Sequence, residues 1–524
     1  GNLDDAILTQ GFLIAQDRLF QLEAVRYLSQ GRLAELIGAG GLRSDIQLRV
    51  VGVPRVGKRI AASLTPESRA LVALYAAGIN AYIENYAGEF QLGLQVLGIE
   101  PQPWSVEDLI TVNTFANWSS TGNLEEELIA QAIIDKVGPK RANEISIVTI
   151  NPDDGGYVMP EPATAAADLG LDLSNFFAGS VFGAIELGSN SWAISGLRTM
   201  SGGAMLVNNP HLDSRTLPGI WYPMGIITPE YRIVGAAGPG SPGFAVARTG
   251  DIAFGVTNSY GDAVDLYIET IDPANPDNYL EGNKSIPFTV VDETFLVRIG
   301  RSDGFYAESA RVRFTKRGPV ISDHGLTLDD GRVISMRWAV AENMSGEYGL
   351  TSLMLAKNLA EAEAAVAQID APYNYTIATA EGDIGHFTAG RIPNRKVGDG
   401  SRPLPVTSGE DDWAGVIPAA AMPKTTNPQR GWVGNANHRT LPADYPYEYS
   451  TYFAHSWRYD RMLELLDVPA QTTPLEQWGY MFDVKNVMAE RIVPYMIRAL
   501  AVHRDTGWIA AYLRQWDFND EADA

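Results

Sequence analysis

The sequence predicts an α+β fold whose first 160 residues are mainly helical and whose remainder is mainly strand. Two patterns carry this. Apolar residues recur at helical spacing before residue 160, and short β-branched or aromatic runs separated by turn residues take over from Ser189. Between them, the Pro-, Gly- and Ala-rich stretch 151–188 reads as a loop or removable spacer, since long structureless loops inside compact domains are uncommon. The chain thus divides into a mainly helical region (residues 1–160), a linker or spacer (residues 161–188) and a strand-rich region (residues 189–524).

Residues 4–37 read as the first helix: Leu8, Phe12, Ala15, Leu19, Leu22, Val25 and Leu33 form its apolar stripe, and Gly38 to Gly41 supply the stop. A second helix, 63–86, carries an N-cap Thr65 with Pro66 at its first helical position. Helices 106–118 and 124–137 continue the pattern. After Ser189, strands are predicted at 191–195, 204–208, 232–235, 252–256, 264–270, 288–291, 294–299, 310–315 and 333–338. Helices return at 352–369 and after Tyr459, and no repeat of solenoid period is present.

Composition narrows the function classes. A formal net charge of −23 argues against nucleic acid and anionic membrane surfaces as partners. No apolar run is long and charge-free enough to span a bilayer. Cysteine is absent, which removes disulfides, thiolate zinc sites and a Cys nucleophile. Both ends read as truncated, so no targeting segment indicates a location. Six histidines (211, 324, 386, 438, 455 and 503) show no metal-type spacing, and no Gly-rich phosphate loop is present. Gly300 to Gly304 matches a Gly-x-Ser-x-Gly elbow, but strand-like segments flank it on both sides, so it reads as a hairpin turn rather than a strand-to-helix elbow.

The most informative stretch is Gly188-Ser189-Asn190-Ser191-Trp192. A serine hydroxyl is a poor nucleophile until a base takes its proton. A cut between Gly188 and Ser189 would create that base on the same residue, because an α-amine titrates near pH 8 and is partly neutral at working pH. An unbranched Gly on the acyl side tolerates the strained geometry of such a self-cleavage.

The segment from Gly188 to Gly196, followed by Met205 to Leu212, resembles the start of the β-chain in the penicillin acylase family of N-terminal-nucleophile hydrolases. Gln10 to Gln21, with Gly31 to Glu35, is similar to the family's opening α-chain helix. Phe254 to Asp265 is similar to the strand and loop behind its active site. Asn374-Tyr375 with Gly382 to Gly385 and Gly390 to Pro393, then Gly434 to Arg439, then Tyr459 to Leu466, complete six blocks in family order over nearly the whole chain. The resemblance implies an αββα four-layer sandwich made by α and β chains from one precursor, with Ser189 exposed by self-cleavage. It implies an amidohydrolase acting on a linear amide, located in the periplasm or secreted. The substrate would be a small acyl amide: an N-acyl-homoserine lactone, an acylated β-lactam or an acylated lipopeptide.

By the same resemblance, Asn437 and the backbone N–H of Asn258 would hold the developing oxyanion. Arg461 would organise the site near the α-amine, and His211 would hydrogen-bond around that amine. Asn258 stands where many members carry a small or branched apolar residue, and its side chain is expected to crowd or polarise the pocket mouth. Leu212, Trp221 and Tyr222 are candidate acyl-pocket residues. Asp262, the Val264 carbonyl, Asp265 and Glu125 match a calcium-binding loop, although Glu126 and Glu127 leave the register open; one structural Ca²⁺ and no organic cofactor are expected. Two rivals remain: a catalytically silent, uncleaved homologue acting as a binding protein, and a conventional serine hydrolase using one of the histidines.

Overall fold

The computed structural model describes residues 2–145, 149–158, 169, 171 and 188–521, apart from 122, 155, 213–216, 230, 301, 302, 327, 329, 330, 407, 469 and 503–505. The spacer prediction therefore falls almost wholly outside the described residues, as do residues 301 and 302 of the Gly300–Gly304 turn; the strands that this turn joins, Thr289–Arg298 and Phe305–Phe314, pair as an antiparallel hairpin.

The helical region is built on α1 (Leu3–Ser29), α2 (Pro66–Asn85), α3 (Val106–Ser120) and α4 (Leu124–Val137). Asn2 and Ser105 close capping boxes at α1 and α3, and the Thr65 side chain caps α2 as its sequence predicts. The predicted first helix is too long. The chain turns at Gly31, and Gly38, with φ of 73°, redirects the chain into a further helix, Ala39–Val51, instead of ending the helical region. Helices α1 and α2 cross at bare backbone: a Cβ on Gly11 would lie 2.1 Å from the Tyr75 carbonyl oxygen, and one on Gly78 1.9 Å from that of Leu8.

The strands that position the site are β1 (Ser189–Ile194), β2 (Met205–Pro210), β3 (Tyr222–Ile227), β4 (Arg232–Ala237), β5 (Val246–Thr249), β6 (Ile252–Asn258), β7 (Val264–Thr270), β8 (Arg332–Trp338), β9 (Tyr373–Thr379), β10 (Ile384–Thr388), β11 (Lys424–Thr426) and β12 (Trp432–Asn435). A seven-stranded antiparallel sheet has the order β11-β10-β9-β6-β5-β4-β3, and a three-stranded antiparallel sheet the order β12-β1-β2. Strands β3, β5, β9, β10, β11 and β12 go beyond those that the sequence pattern predicts. Strand β9 is buried along nearly its whole length, and all of β10 is buried, so neither shows a polar, solvated face.

Side-chain alternation sorts the two faces of the large sheet. Phe254, Tyr375, Ile377 and Phe387 pack against Ile7, Ile14, Leu19, Tyr75 and Ile79 of the helices. On the opposite face, Ala378 and Ile384 meet Ala193 and Val433 of the small sheet. The sheets approach closely at Gly255, where an added Cβ would lie 2.8 Å from the Asn208 Cβ. The far face of the small sheet packs Trp192 and Trp432 against Tyr459 and Met462 of α5 (Trp457–Leu466). No helix among the described residues is long and apolar enough to cross a membrane.

The crossing of α1 and α2 yields a test. Gly78→Ala is expected to destabilise the protein by about 3 kcal/mol, because the clash is with backbone that cannot rotate away. Gly40→Ala, whose added methyl meets nothing within 4 Å, is the matched control and should leave the melting temperature unchanged or raise it slightly. Thermal unfolding of the two variants beside the parent checks this.

Candidate active site

Ser189 opens β1 and is 8% exposed. Its N–H donates to Asn437 Oδ1 at 2.6 Å, and its hydroxyl donates to the Gly188 carbonyl at 2.7 Å. That carbonyl also accepts the His211 backbone N–H at 2.8 Å, which polarises it. Gly188 is the residue the space allows: a Cβ there would lie 2.9 Å from Arg458 Nη2 and 3.0 Å from His211 Nδ1.

Asn437 lies two residues past the end of β12, with φ of +64°, in the left-handed region that asparagine tolerates better than most residues. The orientation of its amide follows from its partners. Oδ1 accepts from Ser189 N–H and from Arg458 Nη2 at 2.8 Å, while Nδ2 donates to the Asn258 carbonyl at 2.8 Å. Asn258 ends β6. Its side chain is bound to neighbouring backbone: Oδ1 accepts the Tyr260 N–H, and Nδ2 donates to the Ser120 carbonyl at the end of α3.

The cation at this site is Arg458. Its Nη1 donates to the Ser189 carbonyl at 2.6 Å and to Asn190 Oδ1 at 2.7 Å. These partners and Asn437 Oδ1 are all neutral oxygens, so the positive charge beside Ser189 is not cancelled by them, and burial pulls the guanidinium pKa down. Arg461, the arginine that the sequence favoured, points elsewhere. It is 24% exposed and pairs with Asp483 at 2.6 Å and Glu464 at 2.7 Å. Both arginines, with His211, line a cavity of about 200 Å³. Sequence reasoning missed Arg458 because it lies about one helical turn before Arg461, just ahead of the block that carries the resemblance.

His211 is held neutral, its pKa pushed down to about 4 by burial and then by the Arg458 charge. Leu212 follows it and is 38% exposed. Neither Trp221 nor Tyr222 lines the cavity shared by Arg458 and His211. Tyr222 starts β3, the edge strand farthest from β11, and its hydroxyl donates to Asp17 Oδ2 at 2.5 Å. The site also has a buried histidine pair behind it. His386 is pushed down to about 4 by burial, and His438, stacked on Tyr459 at 3.7 Å, is pushed well below the ordinary histidine range by burial and by His386.

A second cluster gathers Glu127, Asp262 and Asp265, all buried, with carboxylate oxygens within 4.8 Å of one another. Glu127 takes the place expected for Glu125, because α4 turns residue 127 toward β7, where its Oε2 accepts the Leu266 N–H. Val264 lies between the two aspartates in the chain and is fully buried. Arg395 pairs with Asp262 at 2.6 Å and Asp265 at 2.8 Å. Burial drives the Glu127 and Asp262 pKa values well up, and Glu127 Oε1 is buried without a hydrogen-bond partner among the described residues. Three carboxylates against one guanidinium leave a charge deficit of two in a dry interior, with an orphaned oxygen. A hard divalent cation fits both features.

A penicillin amidase family profile matches residues 1–524. The chain is 31% identical over 486 residues to the acyl-homoserine lactone acylase QuiP of Pseudomonas aeruginosa, covering 89% of this chain and 56% of that protein. It is 30% identical to the penicillin acylase 2 proenzyme of Pseudomonas sp. strain SE83 (88% and 59% covered) and 28% identical to penicillin G acylase of Escherichia coli (89% and 61% covered). The chain thus spans little more than half the length of these curated relatives. Among solved structures, thermostable penicillin G acylase from Alcaligenes faecalis matches with a TM-score of 0.53 at 21% identity, over 64% of this chain and 60% of that one.

The histidines make stability pH-dependent. The folded His386 pKa, about 4, lies below the ordinary 6.5, so its contribution is complete above pH 6.5 and is lost as pH falls toward 4. Urea unfolding should show the parent losing more stability between pH 7 and pH 4 than His386→Gln, by on the order of 3 kcal/mol.

Proposed function

Because this chain belongs to the penicillin amidase family, we propose that it hydrolyses a linear amide by acyl transfer to Ser189, freed as an N-terminal residue by self-cleavage. The observation that carries this reading is the Asn437 amide, whose oxygen faces the Ser189 nitrogen while its nitrogen faces Asn258. We read the stack of helices, two sheets and α5 as the four-layer sandwich of such hydrolases.

In self-cleavage, Ser189 Oγ adds to the Gly188 carbonyl carbon, and the carbonyl oxygen is steadied by the His211 N–H. The Gly188–Ser189 C–N bond breaks as the acyl group passes to Oγ. Water then hydrolyses the ester, leaving a Gly188 carboxylate and a free Ser189 amine. The uncancelled charge of Arg458 lowers the pKa of that amine and favours its neutral, basic form. In turnover the amine takes the Oγ proton as Oγ attacks the substrate carbonyl. Asn437 Nδ2 and the Asn258 N–H supply the donors to the oxyanion, a kind of contact worth about 2.7–4 kcal/mol each. The amine then returns the proton to the leaving nitrogen, and water releases the acyl group.

The substrates are small acyl amides, N-acyl-homoserine lactones or acylated β-lactams, as the names of the relatives suggest. Leu212, beside His211, is the remaining candidate for the acyl side. The working form is a heterodimer of α and β chains in the periplasm or outside the cell. Glu127, Asp262 and Asp265, with the Val264 carbonyl, would hold one Ca²⁺ as a structural ion that neutralises their charge. No organic cofactor is required.

Intact mass and N-terminal sequencing of the expressed full-length protein test the reading, together with turnover of N-decanoyl-homoserine lactone and benzylpenicillin. The parent should yield a fragment beginning at Ser189, and Ser189→Ala should not. Arg458→Ala should lose processing or at least about 100-fold in kcat/KM, whereas Arg461→Ala, which removes the half-buried ion pairs to Asp483 and Glu464, should stay within about 3-fold. Soluble, folded parent protein that stays uncut and inactive would favour the binding-protein rival.

Calcium is tested separately. Saturating Ca²⁺ should raise stability by about 2.7 kcal/mol at 100 times its dissociation constant. Excess EGTA should reverse the gain, and Glu127→Gln should abolish the response; a melting curve indifferent to Ca²⁺ and EGTA would rule the ion out.

A further inference from the structure

We propose that Asn435 and Thr257 are positioning residues for the oxyanion donors, acting through a single shared oxygen. The proposal rests on the acylase reading above. Asn435 Oδ1 accepts two hydrogen bonds, from the Asn437 backbone N–H at 2.8 Å and from Thr257 Oγ1 at 2.8 Å. The first closes a short turn that holds Asn437 at its positive φ. The second ties that turn to the end of β6, one residue before Asn258. The two expected oxyanion donors, the Asn437 amide and the Asn258 N–H, are carried by different sheets, and this oxygen couples their carriers.

Several features point to the oxygen rather than to general packing. Asn435 is fully buried and Thr257 nearly so, where a lone carbonyl oxygen would be costly. Asn435 Nδ2 has no hydrogen-bond partner among the described residues, so the side chain works through its acceptor end. Asn437 has one further backbone anchor, the Ala454 N–H on its carbonyl at 3.0 Å, which leaves its N–H end to Asn435. The hydrogen bonds of Asn435 and Thr257 involve neither Ser189 nor Arg458, so changes at this pair reach the base and its neighbouring charge only through Asn437.

This separation defines the test. Processed parent, Asn435→Ala, Asn435→Ser, Thr257→Val, Thr257→Ser and the double variant Asn435→Ala/Thr257→Val are assayed on N-decanoyl-homoserine lactone and benzylpenicillin. Active sites are counted by labelling Ser189 with a serine-reactive sulfonyl fluoride. Expected for Asn435→Ala and Thr257→Val is a fall of about 10- to 100-fold in kcat per labelled site, with KM within about 3-fold, as befits donors that matter chiefly in the transition state. The serine variants, which keep an oxygen, should recover most of the loss. The double variant should be no worse than the poorer single, because both act through one oxygen.

Unchanged kcat per labelled site in Thr257→Val overturns the proposal, as does a loss confined to the number of labelled sites, which would mark a folding role. Losses that multiply in the double variant overturn the shared oxygen. A parent that neither turns over nor labels at Ser189 brings down the acylase reading first, and this proposal with it.

Discussion

The arrangement around Ser189 depends on one side-chain amide. Asn437 presents its oxygen to the Ser189 nitrogen and to Arg458, and its nitrogen to the carbonyl at the end of β6. An amide is the side chain that offers an acceptor and a donor on one rigid plane, so it can bind both without titrating. A carboxylate would cancel the Arg458 charge, and a hydroxyl could not span both partners. The two sheets must then hold their mutual distance, which the close approach at Gly255 and the apolar contacts of Ala193 and Val433 secure.

Charge is distributed with a clear division. Arg395 faces two buried aspartates, and Arg317 is enclosed by Glu269, Glu281 and Asp411. Those guanidiniums are matched and bind neighbouring segments of the scaffold together. Arg458 donates to neutral oxygens and keeps its field. The histidines behind it are neutral through burial, so they add no competing charge near neutral pH. A cation left uncompensated costs stability, and beside Ser189 that cost would have a chemical use in the proposed reaction.

Much of this is legible in the sequence alone. The helical first region and the strands β1 and β2 follow from periodicity and turn chemistry. What escapes has physical reasons. Strands β9 and β10 have polar residues such as Thr376 and His386 buried inside the molecule, which defeats a reading based on apolar alternation. Arg458 and Arg461 sit about one turn apart on the same helix, and only the packing of Tyr459 and Met462 against the small sheet decides which one meets Ser189. Three consecutive glutamates at 125–127 offer three rotations about α4, and the buried face selects Glu127. Thr257 and Asn435 lie 178 residues apart, and no local pattern couples them.

The core beneath the large sheet is shared between two stretches of chain: Ile7, Ile14 and Leu19 come from before the spacer, and Phe254, Tyr375 and Ile377 from after it. The Gln10 side chain is pinned to the backbone of Gly243 by two buried hydrogen bonds. While the chain is continuous, the covalent link holds these halves at high effective concentration and folding is unimolecular. If the link is cut as proposed, the native contacts persist, but refolding becomes an encounter between two molecules. The processed form would then owe its lifetime to slow unfolding, a matter of kinetics rather than of equilibrium.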